Sequence, residues 1–95
     1  MEFLFLLVSE MKTIEKSINQ ILADWNPLDV PPNIAETEYV VFIPSIRSKM
    51  NDEKELLMYL EALLTNELEL DYNSANSLQN AEVKDVARKI IKLTI

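Results

Sequence analysis

Apolar residues recur along this chain at helical rather than strand spacing. Ile14, Ile18, Ile21, Leu22 and Trp25 fall at i, i+4, i+7, i+8 and i+11, one face of a 3.6-residue period. That face predicts a first helix over about residues 12–24. Pro27, Pro31 and Pro32 end it, because proline lacks an amide donor and pushes its predecessor towards extended backbone. Residues 25–33 are therefore expected to form a stiff, partly apolar loop. Ala35, Tyr39, Phe42, Ile43, Ile46 and Met50 resume the helical spacing, with Asn33 as the expected N-cap. Two features cut across this second helix. Tyr39-Val40-Val41-Phe42-Ile43 is rich in strand-preferring residues, and Pro44 would remove a helical hydrogen bond and crowd the carbonyl of Val40. A kinked helix or two stacked short ones is the favoured reading, with a strand over residues 39–43 as the alternative.

The second half of the chain is plainer. Asp52 followed by Glu55 resembles a capping box, and Leu56, Leu57, Leu60, Leu63 and Leu64 supply a wide leucine stripe for a third helix ending near Asn66. Residues 68–72 then alternate apolar and acidic, and residues 73–77 read as a turn and cap. A fourth helix follows, with Val83, Val86, Ala87, Ile90 and Ile91 inward and Asp85 four residues before Lys89 for a supporting pair. Arg88, Lys89 and Lys92 sit in its last turn, where positive charge suits the helix dipole. The expected fold is all-α: one domain over residues 1–95, a compact bundle of about four helices with a kinked second helix.

The N-terminal run Phe3-Leu4-Phe5-Leu6-Leu7-Val8 is too short for the roughly 7–15 apolar residues of a secretory signal or the roughly 18 of a membrane span, and the first charge is Glu2. A cytoplasmic location is the default expectation. Met11-Lys12-Thr13-Ile14-Glu15 reads like a natural start, which would make residues 1–10 an upstream extension; otherwise they would add a helical turn or a strand to the core.

Composition narrows the chemistry sharply. The chain has no cysteine, no histidine and no glycine. It therefore lacks thiolate chemistry, the side chain that titrates near neutrality, and the backbone of phosphate-cradling loops and nucleophile elbows. Carboxylates remain, but Glu36 and Glu38 at i and i+2 diverge by roughly 200° on a helix and share a face only on a strand. The acids of residues 66–71 are spaced somewhat like a calcium loop, without its turn glycine or terminal glutamate. No enzyme activity, cofactor or metal is expected. Trp25, the one tryptophan, is expected to plug an end of the bundle with its indole N–H on a backbone carbonyl; an interface anchor is the alternative. Tyr39, Tyr59 and Tyr72 are expected to pack ordinarily, with a rim role as the alternative.

Net charge is −7, and its distribution is uneven. Residues 24–80 hold eleven acids against Arg47, Lys49 and Lys54, whereas residues 81–95 are net positive. Such a surface repels nucleic acid and anionic membrane and attracts a basic protein. Acidity that merely keeps a small domain soluble is the plainer explanation.

Ile21-Leu22-Ala23-Asp24-Trp25-Asn26-Pro27-Leu28, followed by Ala35-Glu36-Thr37-Glu38-Tyr39, the leucine helix and Val86-Ala87, resembles the bacterial domain-of-unknown-function family 1871 over about residues 13–93. Asn26 stands where that family more often has aspartate, and the glycines usual after its proline are missing. The resemblance implies a small all-α fold without known catalysis. In size and charge the chain is also similar to the immunity proteins of bacterial competition systems, such as contact-dependent growth inhibition, whose targets include basic nucleases. That similarity implies a basic protein partner, such as a toxin nuclease domain, met by carboxylates that stand in for phosphates. The candidate partner-binding residues are Glu36 and Glu38 on one element and Glu67, Glu69 and Asp71 on the acidic connection. A housekeeping helical adaptor or regulatory domain is the competing expectation.

Overall fold

The computed structural model describes residues 13–73 and 75–94. The fold is all-α, and every regular element among these residues is helical. Helix α1 spans Thr13–Trp25, α2 Pro32–Glu38, α3 Ile43–Lys49, α4 Glu53–Ala62 and α5 Ser77–Ile91. Helices α1, α3, α4 and α5 form a closed four-cornered bundle in which each packs on the next, and α2 lies along α1. Where the corners face inward, Ile18 and Leu22 of α1 meet Ile43 and Ile46 of α3, Leu56 and Leu60 of α4, and Val83, Val86, Ala87 and Ile90 of α5 in one buried cluster. The expected extension or strand over residues 1–10 lies outside the described residues.

The second predicted helix is two short ones. Helix α2 ends at Glu38, a 3₁₀ turn covers Val40–Phe42, and α3 starts afresh at Ile43. No strand forms over residues 39–43, which correct that alternative. Pro44 stands just past the break, in the first turn of α3, where its missing N–H has no intrahelical acceptor to lose. The same logic moves the start of α2. Pro31, not Asn33, holds the N-cap position, and its carbonyl accepts from the N–H groups of Ile34 and Ala35, both at 2.9 Å. Pro32, with its φ preset for a helix, takes the first turn and leaves Asn33 inside it.

The other caps follow the sequence. The Asp52 carboxylate accepts from the N–H groups of Lys54 and Glu55 at 3.0 and 3.1 Å, and the Asn76 side chain does the same for Leu78 and Gln79. Only half of the expected capping box exists, because the backbone N–H of Asp52 donates to the carbonyl of Lys49 rather than to Glu55. Beyond Ala62, the helix widens to a π turn over Leu63–Glu67, with the Leu68 N–H reaching the Leu63 carbonyl. The added residue in the turn lets consecutive Leu63 and Leu64 both stay buried. Across residues 67–72 the alternation then works without a ladder: Leu68, Leu70 and Tyr72 pack on the core while Glu67, Glu69 and Asp71 face solvent. The expected Asp85–Lys89 pair forms at 3.0 Å, and Arg88 of α5 reaches Glu53 at the start of α4 at 3.6 Å.

A chain without glycine must turn its corners with other residues. Asn26, Asp29 and Glu69 take φ of 46°, 53° and 54°. Asn and Asp tolerate this left-handed region through their short polar side chains, but Glu69 has no such relief. Glu69→Gly is accordingly expected to stabilise the fold by about 0.5–1 kcal/mol, the left-handed penalty exceeding the entropy lost on ordering glycine. A raised urea midpoint in that variant checks it.

Candidate functional site

All five candidate carboxylates are exposed, and none meets a cation or a hydrogen-bond donor among the described residues. They do not gather in one place. Glu36 and Glu38 ride on α2, where helical geometry sends them to different sides, and Glu36 lines a cleft of about 330 Å³ between α1 and α2. The strand that would align both carboxylates is not formed. Asn19 of α1 braces that cleft by donating to the Glu36 carbonyl at 2.8 Å, while its own Oδ1 is buried without a partner. Glu67 closes the π turn, Glu69 sits at the left-handed corner, and Asp71 leads the chain towards α5.

Asp71 alone of the five lines a cleft with aromatic side chains. It lines a cleft of about 180 Å³ with Trp25, Tyr72 and Glu82. On the other side of Trp25 and Glu82 a second cleft of about 260 Å³ is lined by Asp24, Asp85 and Lys89. Trp25 is only partly buried, and its indole N–H donates to Glu82 Oε1 at 2.9 Å rather than to a backbone carbonyl. The expected plug thus becomes a strut between the end of α1 and the first turns of α5. Lys89 is already engaged by Asp85. Among the described residues no group of three or more Asp and Glu is placed to hold a metal ion.

The tyrosines divide between this region and the loop behind it. Tyr72 donates to Glu61 Oε2 at 2.8 Å. Burial pushes its phenol above the usual value, the Asn80 bond pulls it down, and Glu61 raises it again. Tyr59 lies against Lys49, whose Nζ is 5.1 Å from the ring centre. Tyr39 is the buried one. Its hydroxyl donates to Asn26 Oδ1 at 2.8 Å and accepts from the Leu28 N–H at 3.0 Å. Asn26 in turn clamps Val30, accepting from its N–H at 3.2 Å and donating to its carbonyl at 2.8 Å. An aspartate could not make that last bond, which gives the amide at residue 26 a local reason.

No family model matches the chain, and no curated protein or solved structure matches it either. The resemblance of residues 13–93 to family 1871 finds no support there, and what the site can do rests on its own residues. No described helix is long and apolar enough to cross a membrane.

Proposed function

We propose that this chain is a non-enzymatic binding protein for a basic protein partner, in its most concrete form an immunity protein that neutralises a toxin domain of a bacterial competition system. The observation that carries the reading is the state of the carboxylates: Glu36, Glu38, Glu67, Glu69 and Asp71 are exposed and unpaired among the described residues of a chain of net charge −7. Exposed acids with no internal cation to satisfy are available to a cationic surface, and their summed field speeds encounter with it. Of the basic residues on α5, Arg88 and Lys89 are engaged by Glu53 and Asp85.

Two measurements test this. An immunity gene should lie directly downstream of a gene for a large secreted or surface toxin. The toxin domain encoded there should associate with this protein at a rate that falls as salt shortens the Debye length below about 10 Å at 0.1 M. Reversal of Glu67, Glu69 and Asp71 to lysine should slow association by about tenfold at low salt. Association that ignores both salt and reversal would reduce the acidic surface to a solubilising one. With no adjacent toxin gene, the immunity form of the reading fails.

A further inference from the structure

We infer that the paired clefts at Trp25 are the point at which this protein receives an arginine side chain of its partner. The inference rests on the reading above that the partner is basic, and it names where and by what group the partner is held. Trp25 and Glu82 line both clefts, so one aromatic ring and one carboxylate serve as a shared wall. Their mutual bond of 2.9 Å fixes the ring and the carboxylate before any ligand arrives. That bond uses a single acceptor site of Glu82, and a carboxylate has about four. The rest remain open to a second donor.

The surroundings select the charge of the occupant. Asp71 stands on one side of the wall, and Asp24 and Asp85 on the other; Lys89, the one cation lining either cleft among the described residues, is held by Asp85 at 3.0 Å. An anionic group would meet two carboxylates in the first cleft and three in the second, so both favour a cationic occupant. Size selects next. At about 180 and 260 Å³ the clefts fall below the roughly 300 Å³ at which drug-sized ligands are bound, so they suit a side-chain head rather than a free metabolite. Between the two basic side chains, arginine fits better. Its planar, weakly hydrated guanidinium stacks on an aromatic wall and offers parallel donors to a carboxylate, whereas a lysine ammonium is a strongly hydrated point charge.

Trp25 is the sole tryptophan, so its indole N–H gives one unambiguous amide-type resonance in a nitrogen–proton correlation spectrum. The full chain is titrated at low ionic strength with three hexapeptides: hexa-arginine, hexa-lysine of equal charge, and hexa-citrulline, a neutral isostere. The expected result is a saturable shift of the Trp25 indole and of amides near Asp71 and Glu82 with hexa-arginine, several-fold weaker binding there with hexa-lysine, and none with hexa-citrulline. Glu82→Gln combined with Asp71→Asn keeps an oxygen for the indole N–H, so the spectrum stays folded while arginine affinity at the clefts drops by about tenfold. Hexa-arginine shifts confined to α2 and residues 67–69 would overturn the inference and leave the basic-partner reading standing. Equal indole shifts with hexa-lysine would overturn the choice of arginine. No binding of either cationic peptide anywhere would sink both.

Discussion

Tyr39→Ala is expected to lose about 3–5 kcal/mol of stability, the range for truncating a fully buried aromatic, and Tyr39→Phe about 1–3 kcal/mol. The separation of the two values matters more than either alone. Tyr39 is 1% exposed and packs in the main cluster, so its ring contributes as core. Its hydroxyl does something different. Removing it leaves the Leu28 N–H without its partner in a part-buried loop, while Asn26 Oδ1 keeps the Val30 N–H, and an unmade buried bond costs more than a made one contributes. A loss for Tyr39→Phe of under about 0.5 kcal/mol would mean that water satisfies the Leu28 N–H. Urea unfolding of the two variants beside the parent protein measures this.

The same hydroxyl predicts how the fold fails in alkali. Burial raises the Tyr39 phenol above 10, the Leu28 N–H bond pulls it down, and Glu38 and Asp29 raise it further. A raised folded-state value means that the native protein holds its proton where the unfolded chain has released it. Stability is then fully present below pH 10, about the unfolded value, and declines as pH rises above it through the folded value. Tyr72, also raised, acts with the same sign. Tyr39→Phe should therefore flatten the loss of stability above pH 10 while lowering stability at neutral pH, a pairing that plain loss of packing would not produce.

The parts of this structure that the sequence made legible are those governed by local rules. The 3.6-residue spacing found α1, α4 and α5 because each buries one stripe against the others, and the caps at Asp52 and Asn76 act within three residues of themselves. Residues 32–49 were harder because two proline rules compete there: Pro44 inside a helix breaks it, and Pro44 at the start of one suits it. Tertiary packing of Tyr39 and Ile43 decided for a new start. The Asn26–Tyr39 knot spans thirteen residues and the Trp25–Glu82 bond fifty-seven, and no periodicity carries such information. The acidic candidates show the same limit. Their charge was readable, but that Asp71 shares one cleft with Trp25 and Glu82, and Asp24 and Asp85 the next, follows only from the meeting of α1 with α5. That convergence depends on the fold.

Leu60→Ala is expected to cost about 2–5 kcal/mol, whereas Met58→Ala, two residues earlier on the same helix, should change stability by less than about 0.5 kcal/mol. Both replace a flexible or branched chain by the best helix former, so intrinsic propensity cannot separate them. Burial does. Leu60 is 0% exposed in the shared cluster, and Met58 is 60% exposed on the outer side of α4. The α4–α5 contact is the most extensive in the bundle, so a cavity at Leu60 lies where the surrounding helices are least free to collapse into it, and the upper half of the range is expected. A domain of this size has roughly 5–14 kcal/mol in total, so Leu60→Ala removes about a quarter of it or more. The midpoint in urea should fall with little change in its slope, because the surface exposed on unfolding is almost the same. Equal losses at the two positions would mean that α4 presents a different face to the bundle, and the placement of the leucine stripe against α5 would have to be redrawn.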